Sequence, residues 1–322
     1  MLKKIIIKIA EILLLPLTVV SAIWMKFLAN AGMHRATISE KIFMAVGVMP
    51  IRDHYYEPLI NPKKHLKKSL REDRNLPGLD LNINAQLDLL SKFKFNEELE
   101  NLPLNESDKT AELQFYYNNG SYISGDAEYL YNIVRHFQPK NIIEIGSGYS
   151  TLMVLEAVRN IKKEDSKYNL SHTCIEPYEQ PWLEKTGASI IRKKVEDMEL
   201  SFFSSLGNND ILFIDSSHMV RPQGDVLYEF LEILPTLNSG VIVHIHDIFT
   251  PKDYLDEWVF EDHKHWNEQY VLEAFLSNNN DFEIIGAVNH LMHNYKEELC
   301  KTAPILKNQK DREPGSFWIR KK

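Results

Sequence analysis

The stretch Asn141–Thr151, reading Asn-Ile-Ile-Glu-Ile-Gly-Ser-Gly-Tyr-Ser-Thr, constrains this chain's fold more than any other. A short run rich in β-branched residues turns sharply through Gly146 and Gly148. Apolar residues then recur at helical spacing from Leu152 to Lys163. Strand, glycine turn and helix in that order make a ligand-binding corner. Glycines let backbone approach a ligand closely, and the helix offers unpaired N–H groups in its first turn. A dinucleotide would want a third glycine where Thr151 stands, and its pyrophosphate would lie close to Glu144, the acid before the turn. A cationic ligand suits that acid better.

Downstream the pattern alternates. Strands are expected at 172–176, 188–192, 211–215 and 241–246, with helices between them, and two late strands at 282–288 and 316–320. Alternation of this kind specifies a mostly parallel sheet covered on both faces. Ligands of such sheets sit beyond the carboxyl ends of the strands, so the residues at those ends are the candidates for chemistry. The second strand stops at Glu176, whose carboxylate can accept both hydroxyls of a ribose. Val195 and Glu196 follow the third. The fourth ends Leu-Phe-Ile-Asp215-Ser-Ser-His218, and the fifth ends His244-Ile-His246-Asp247. His218 is the candidate general base, because an ordinary imidazole titrates near neutrality. His244 lies deeper and reads as a core residue. Arg221 and Asp225 have the spacing of a local ion pair. The aromatic loop from Phe249 to Trp266 could wall an acceptor site, with the Ser124 region closing it from the other side.

Glu144-Ile-Gly146-Ser147-Gly148 resembles the first motif of the class I S-adenosylmethionine-dependent methyltransferases. The resemblance extends over roughly Ser124 to Lys322 and implies a doubly wound α/β sheet of seven strands, Rossmann-like, with the last strand antiparallel. It also implies that Glu144, Gly146, Ser147, Gly148, Glu176, Val195, Glu196 and Asp215 hold S-adenosyl-L-methionine. The acids after the fourth and fifth strands resemble the metal-assisted, catechol-type O-methyltransferases, which implies a divalent metal at Asp215, His246 and Asp247. Those enzymes carry Asp-Asn where this chain has His246-Asp247, and an imidazole there favours a transition metal over magnesium. The expected activity is O-methylation of a hydroxyl on a glycan precursor or small natural product, with His218 and Asp215 as the catalytic pair. A hydroxylase-like enzyme on the same fold and a non-catalytic, membrane-tethered nucleoside-binding scaffold are the rival readings.

Composition narrows the partners. The formal net charge of −8 argues against a nucleic-acid partner, and two cysteines cannot build a disulfide framework, which fits a reducing compartment. From Ile5 to Leu28 the chain is apolar apart from Pro16, Ser21 and a thin stripe at Lys8, Glu11, Thr18 and Lys26. The uncharged stretch Ile12–Met25 is 14 residues, short of the roughly 20 that span a bilayer. An interfacial helix is therefore expected over residues 1–28, on a cytoplasmic protein attached to the inner face of the membrane, in preference to a signal peptide cleaved near Ala29-Asn30-Ala31. The expected divisions are a helical membrane-associating segment at 1–48, a connector and helical cap at 49–115, and the methyltransferase domain at 116–322.

Overall fold

The computed structural model describes residues 2–178 and 180–322. They form two compact units. One runs up to Ser69 and includes Val259–His265; the other comprises Leu70–Trp258 and Trp266–Lys322.

In the first unit, α1 (Leu2–Ala31) is 30 residues long, and α2 (Thr37–Val46) stops at Gly47, which takes the left-handed conformation at φ 79°. Glycine enters this region without steric cost, which makes Gly47 a natural stop for the helix. Thr37 begins α2, but no side chain caps the helix.

The second unit is built on seven strands: β1 (Asn141–Ile145), β2 (Ser171–Ile175), β3 (Ser189–Ile191), β4 (Ile211–Ile214), β5 (Ile242–Ile245), β6 (Phe282–Ala287) and β7 (Phe317–Lys321). Their order across the sheet is β3-β2-β1-β4-β5-β7-β6. The first five are parallel, and β7 runs antiparallel to both β5 and β6. This is the seven-stranded, Rossmann-like sheet that the resemblance implies, with the last strand antiparallel.

Strand alternation sorts the core into two layers. Ile142, Phe213, Ile242 and Trp318 face one layer; Ile143, Ile145, Leu212, Ile214, Val243 and Ile245 face the other. The first layer is closed by α4 (Asp126–Phe137) and α5 (Tyr149–Glu164) and by residues from the region expected to be connector and cap, including Leu89 and Leu90 of α3 (Ile83–Lys92), Leu99, Phe115 and Tyr117. Residues 70–115 therefore belong to the core of the α/β unit. The second layer is closed by Val226 of α6 (Asp225–Tyr228), the π turn Glu229–Ile233 that follows it, and Leu272 of α7 (Glu268–Leu276).

Neither Ser124 nor Asp126 caps α4. Gly125 is its N-cap and donates its N–H to Glu128 at 3.0 Å. Asp126 instead ties in the chain before β7, accepting from the Ser316 N–H at 2.7 Å and pairing with Arg312.

Candidate active site

The order of the sheet reverses between β1 and β4, and a cleft of about 500 Å³ opens there beyond the strand ends. Its walls carry Gly146, Glu176, Val195, Glu196, Asp215, Ser217 and Arg221. The acids Glu176, Glu196, Asp215 and Asp225 outnumber the bases Lys194 and Arg221 on this lining. A cation is favoured there over a pyrophosphate.

Each glycine of the turn has its own physical reason. Gly146 has φ 73°, and a Cβ built on it would lie 1.8 Å from the Asp215 carbonyl oxygen. It is glycine so that the turn can lie against the end of β4. Gly148 has extended backbone, and a Cβ on it would meet nothing within 4 Å. Glu176 accepts the Ser147 N–H at 3.2 Å and the Tyr178 N–H at 2.8 Å, which joins the end of β2 to the turn.

Glu144 is placed differently from expectation. Its side chain is buried and belongs to a network beneath the turn, where it accepts from the hydroxyls of Ser150 and Thr151 and meets His172 Nε2 at 3.0 Å. Cys174 Sγ joins at 3.5 Å. The acid before the turn thus holds the first turn of α5 and β2 together and is not on the cleft lining.

At the rim beside the cleft, three ligand-type side chains converge: Asp215, His218 and Asp247. His218 Nε2 lies 3.3 Å from Asp215 Oδ1 and 3.7 Å from Asp247 Oδ2, while its Nδ1 is 2.8 Å from Glu268 Oε2. Both His218 and Asp247 have left-handed backbone, at φ 58° and 57°. Strain of this kind persists only where surrounding contacts fix it, and here the N–H groups of Asn267 and Glu268 hold the His218 carbonyl at 3.1 and 3.3 Å. Trp266 lies over the His218 ring at 4.3 Å between centroids.

The surroundings of His218, the expected general base, favour its protonated form. Burial alone would lower the His218 pKa, but hydrogen bonds to Asp215 and Glu268 and the charges of Glu268 and Asp247 raise it well above the usual imidazole range. Burial likewise opposes ionisation of Asp215, yet His246 and His218 hold its carboxyl below the ordinary range. Burial lifts Asp247 and Glu268 above theirs.

His246, expected as a metal ligand, stands outside the convergent set. Its Nε2 is 3.5 Å from Asp247 Oδ1, and its ring packs 5.2 Å from Tyr122. His244 is the core residue it was read to be, stacked on Phe213 at 4.1 Å, with burial keeping its pKa well below the ordinary value. Asp225 does not make the expected pair with Arg221; it accepts the Ser217 N–H at 2.9 Å and the Ser217 hydroxyl at 2.7 Å.

Glu268 and Glu229 are functional candidates that the sequence reading missed. Both lie within expected helices and look like solvent-facing acids. The π turn puts Glu229 inside, 3.1 Å from the Ser216 hydroxyl, and burial raises its pKa well above the carboxylate range. An acid two residues after the aromatic Trp266 was the only signal for Glu268.

Residues 143–248, from β1 to just past β5, match the family model described as a methyltransferase domain. An uncharacterised protein of Archaeoglobus fulgidus is 30% identical over 182 residues, which are 53% of this chain and 80% of the archaeal one. The chain belongs to one family with that archaeal protein, and its α/β unit carries a methyltransferase domain.

Proposed function

We propose that this methyltransferase takes its methyl group from S-adenosylmethionine and delivers it to a hydroxyl, with a divalent transition-metal cation at Asp215, His218 and Asp247. The observation that carries the reading is the shared position of Asp215, which lines the acidic cleft and also belongs to the rim triad. Cofactor and acceptor would then meet across one carboxylate.

The cleft lining fits the cofactor. Glu176 stands at the end of β2 for the ribose, Val195 and Glu196 lie where the adenine would rest, and the acidic wall suits a sulfonium. The rim fits a cation as well. One imidazole and two carboxylates suit manganese, iron or zinc better than magnesium. Glu268 on Nδ1 is the partner that a metal-bound histidine usually has, since it fixes the ring and leaves Nε2 facing the two aspartates. A cation there would supply Lewis-acid polarisation of the acceptor hydroxyl. Trp266 packs against the histidine ring. Asp215, Asp247 and His218 fix where the hydroxyl can sit, and an in-line approach to the methyl group supplies most of the acceleration. The acceptor class we favour is a sugar or natural-product hydroxyl.

The test is calorimetric titration of the full chain with S-adenosylmethionine, S-adenosylhomocysteine and NAD, each with chelator and with added manganese. Binding of the two adenosyl ligands and not of NAD is expected, with a separate manganese isotherm that Asp247→Asn abolishes. Absence of adenosyl binding in every condition overturns the reading and moves weight to a scaffold.

A further inference from the structure

We propose that α1 crosses a lipid bilayer, as opposed to lying on it, and that the α/β unit follows on the cytoplasmic side. At roughly 1.5 Å per residue its 30 residues extend about 45 Å. Lys8 and Lys26 bracket the apolar part, with Glu11 the one charge between them, and 18 positions at that rise place them about 27 Å apart. That matches a hydrocarbon core of about 30 Å once the two lysine stems reach outward to the headgroups. The 14-residue uncharged count that favours an interfacial helix leaves out this reach.

The distribution of exposed side chains separates spanning from lying flat. An interfacial helix keeps a broad polar face in water. Along α1 the exposed apolar residues run consecutively through Ile5, Ile6 and Ile7 and again from Ile12 to Leu15, so they surround the helix except for the narrow stripe of Lys8, Glu11 and Thr18. The most apolar 18-residue window of the helix has a mean hydropathy of 2.2, and none of that window is buried within the protein. Thr18, inside the apolar part, donates its hydroxyl to the Leu14 carbonyl at 3.1 Å, so the group is satisfied within the helix, as a lipid environment requires. Trp24 and Phe27, stacked at 5.7 Å, sit on either side of Lys26 at the level of one interface. Beyond it, α2 exposes Ile38, Ile42, Met44 and Val46, an apolar surface for the same interface.

Charge sets the direction. Arg35, Lys41, Arg52, Lys63, Lys64, Lys67 and Lys68 follow the span, against Lys3 and Lys4 before it. The basic flank stays on the cytoplasmic side and meets its anionic lipid. This inference does not rest on the methyl-transfer reading.

The experiment uses the full chain in membranes of an expression host, as right-side-out and inverted vesicles, with Lys3→Cys or Thr37→Cys introduced singly. An impermeant maleimide is applied from one side, and labelled peptides are identified by mass, which separates them from those of Cys174 and Cys300. The expected result is labelling of Lys3→Cys only in right-side-out vesicles and of Thr37→Cys only in inverted ones. Labelling of both from the same side overturns the span, and labelling in the opposite sense overturns the orientation. Recovery of a soluble chain, or of one shortened near Ala31 by intact mass, also overturns the proposal.

Discussion

His218 Nδ1 lies 2.8 Å from Glu268 Oε2, and this contact decides which way the imidazole faces. The two side chains come from the segments that follow the neighbouring strands β4 and β5, and both are buried. Glu268→Gln keeps the shape of the carboxylate and removes its charge. The expected result is a manganese affinity about 10- to 100-fold weaker, the usual loss when the partner of a metal-bound histidine is changed. S-adenosylmethionine affinity should stay within a few-fold, because Glu268 is not on the cleft lining. Paired calorimetric titrations read both, and an unchanged manganese isotherm would remove Glu268 from the site.

Asp215 and Asp247 should separate by the same measurement. Both converge on His218, but only Asp215 also lines the cleft. Asp247→Asn should abolish manganese binding and leave the cofactor bound, whereas Asp215→Asn should weaken both. On an identified acceptor, either change should lower kcat by roughly 100-fold or more, since each removes a positioning group of the reacting hydroxyl. Equal effects of the two changes on cofactor affinity would argue against the shared-carboxylate arrangement.

Much of the fold is legible in the sequence because strand, turn and helix are local patterns. Asn141–Thr151 is specified by short-range sterics, and the alternation after it specifies a covered parallel sheet. The cleft lining is legible for the same reason: Gly146, Glu176 and Asp215 each stand at a strand end. What was misread depends on contacts distant in sequence. Glu144 looks like a ligand acid until β2 places His172 beneath it. His218 looks like a free base until Glu268, 50 residues later, arrives at its Nδ1. The sequence reading takes His246 as the ligand and His218 as the base, and only the fold shows that His218 is the histidine that converges with Asp215 and Asp247. The π turn at Glu229 leaves no periodic trace.

Gly146 and Gly148 should respond oppositely to alanine. Gly146→Ala puts a methyl group against the Asp215 carbonyl and demands left-handed backbone. The destabilisation should well exceed the roughly 1 kcal/mol of the backbone term alone. Gly148→Ala meets no protein atom, and its extended backbone suits any residue. It should leave Tm nearly unchanged, and any effect should appear in cofactor affinity. Thermal melts of both variants with and without S-adenosylhomocysteine check this. A large loss of Tm in Gly148→Ala would mean that the position is structural.

Glu128 gives a pH dependence with a definite sign. Its buried carboxylate accepts N–H groups from Gly125, Ile305 and Leu306, yet burial outweighs them and pushes the pKa up from 4.5 to about 7. Between those values the folded chain holds a proton that the unfolded chain has lost. Stability from this group is therefore greatest below pH 4.5, falls as pH rises through the window and levels off above about 7. Integrated, the term is on the order of 3 kcal/mol. Glu128→Gln has no such titration. The difference in Tm, variant minus wild type, should grow from pH 5 to pH 8 by several degrees. A difference that is flat or shrinks across that range would show that the backbone donors keep Glu128 ionised at every pH. Glu128 would then act as a charged clamp between the start of α4 and the Ile305–Leu306 backbone.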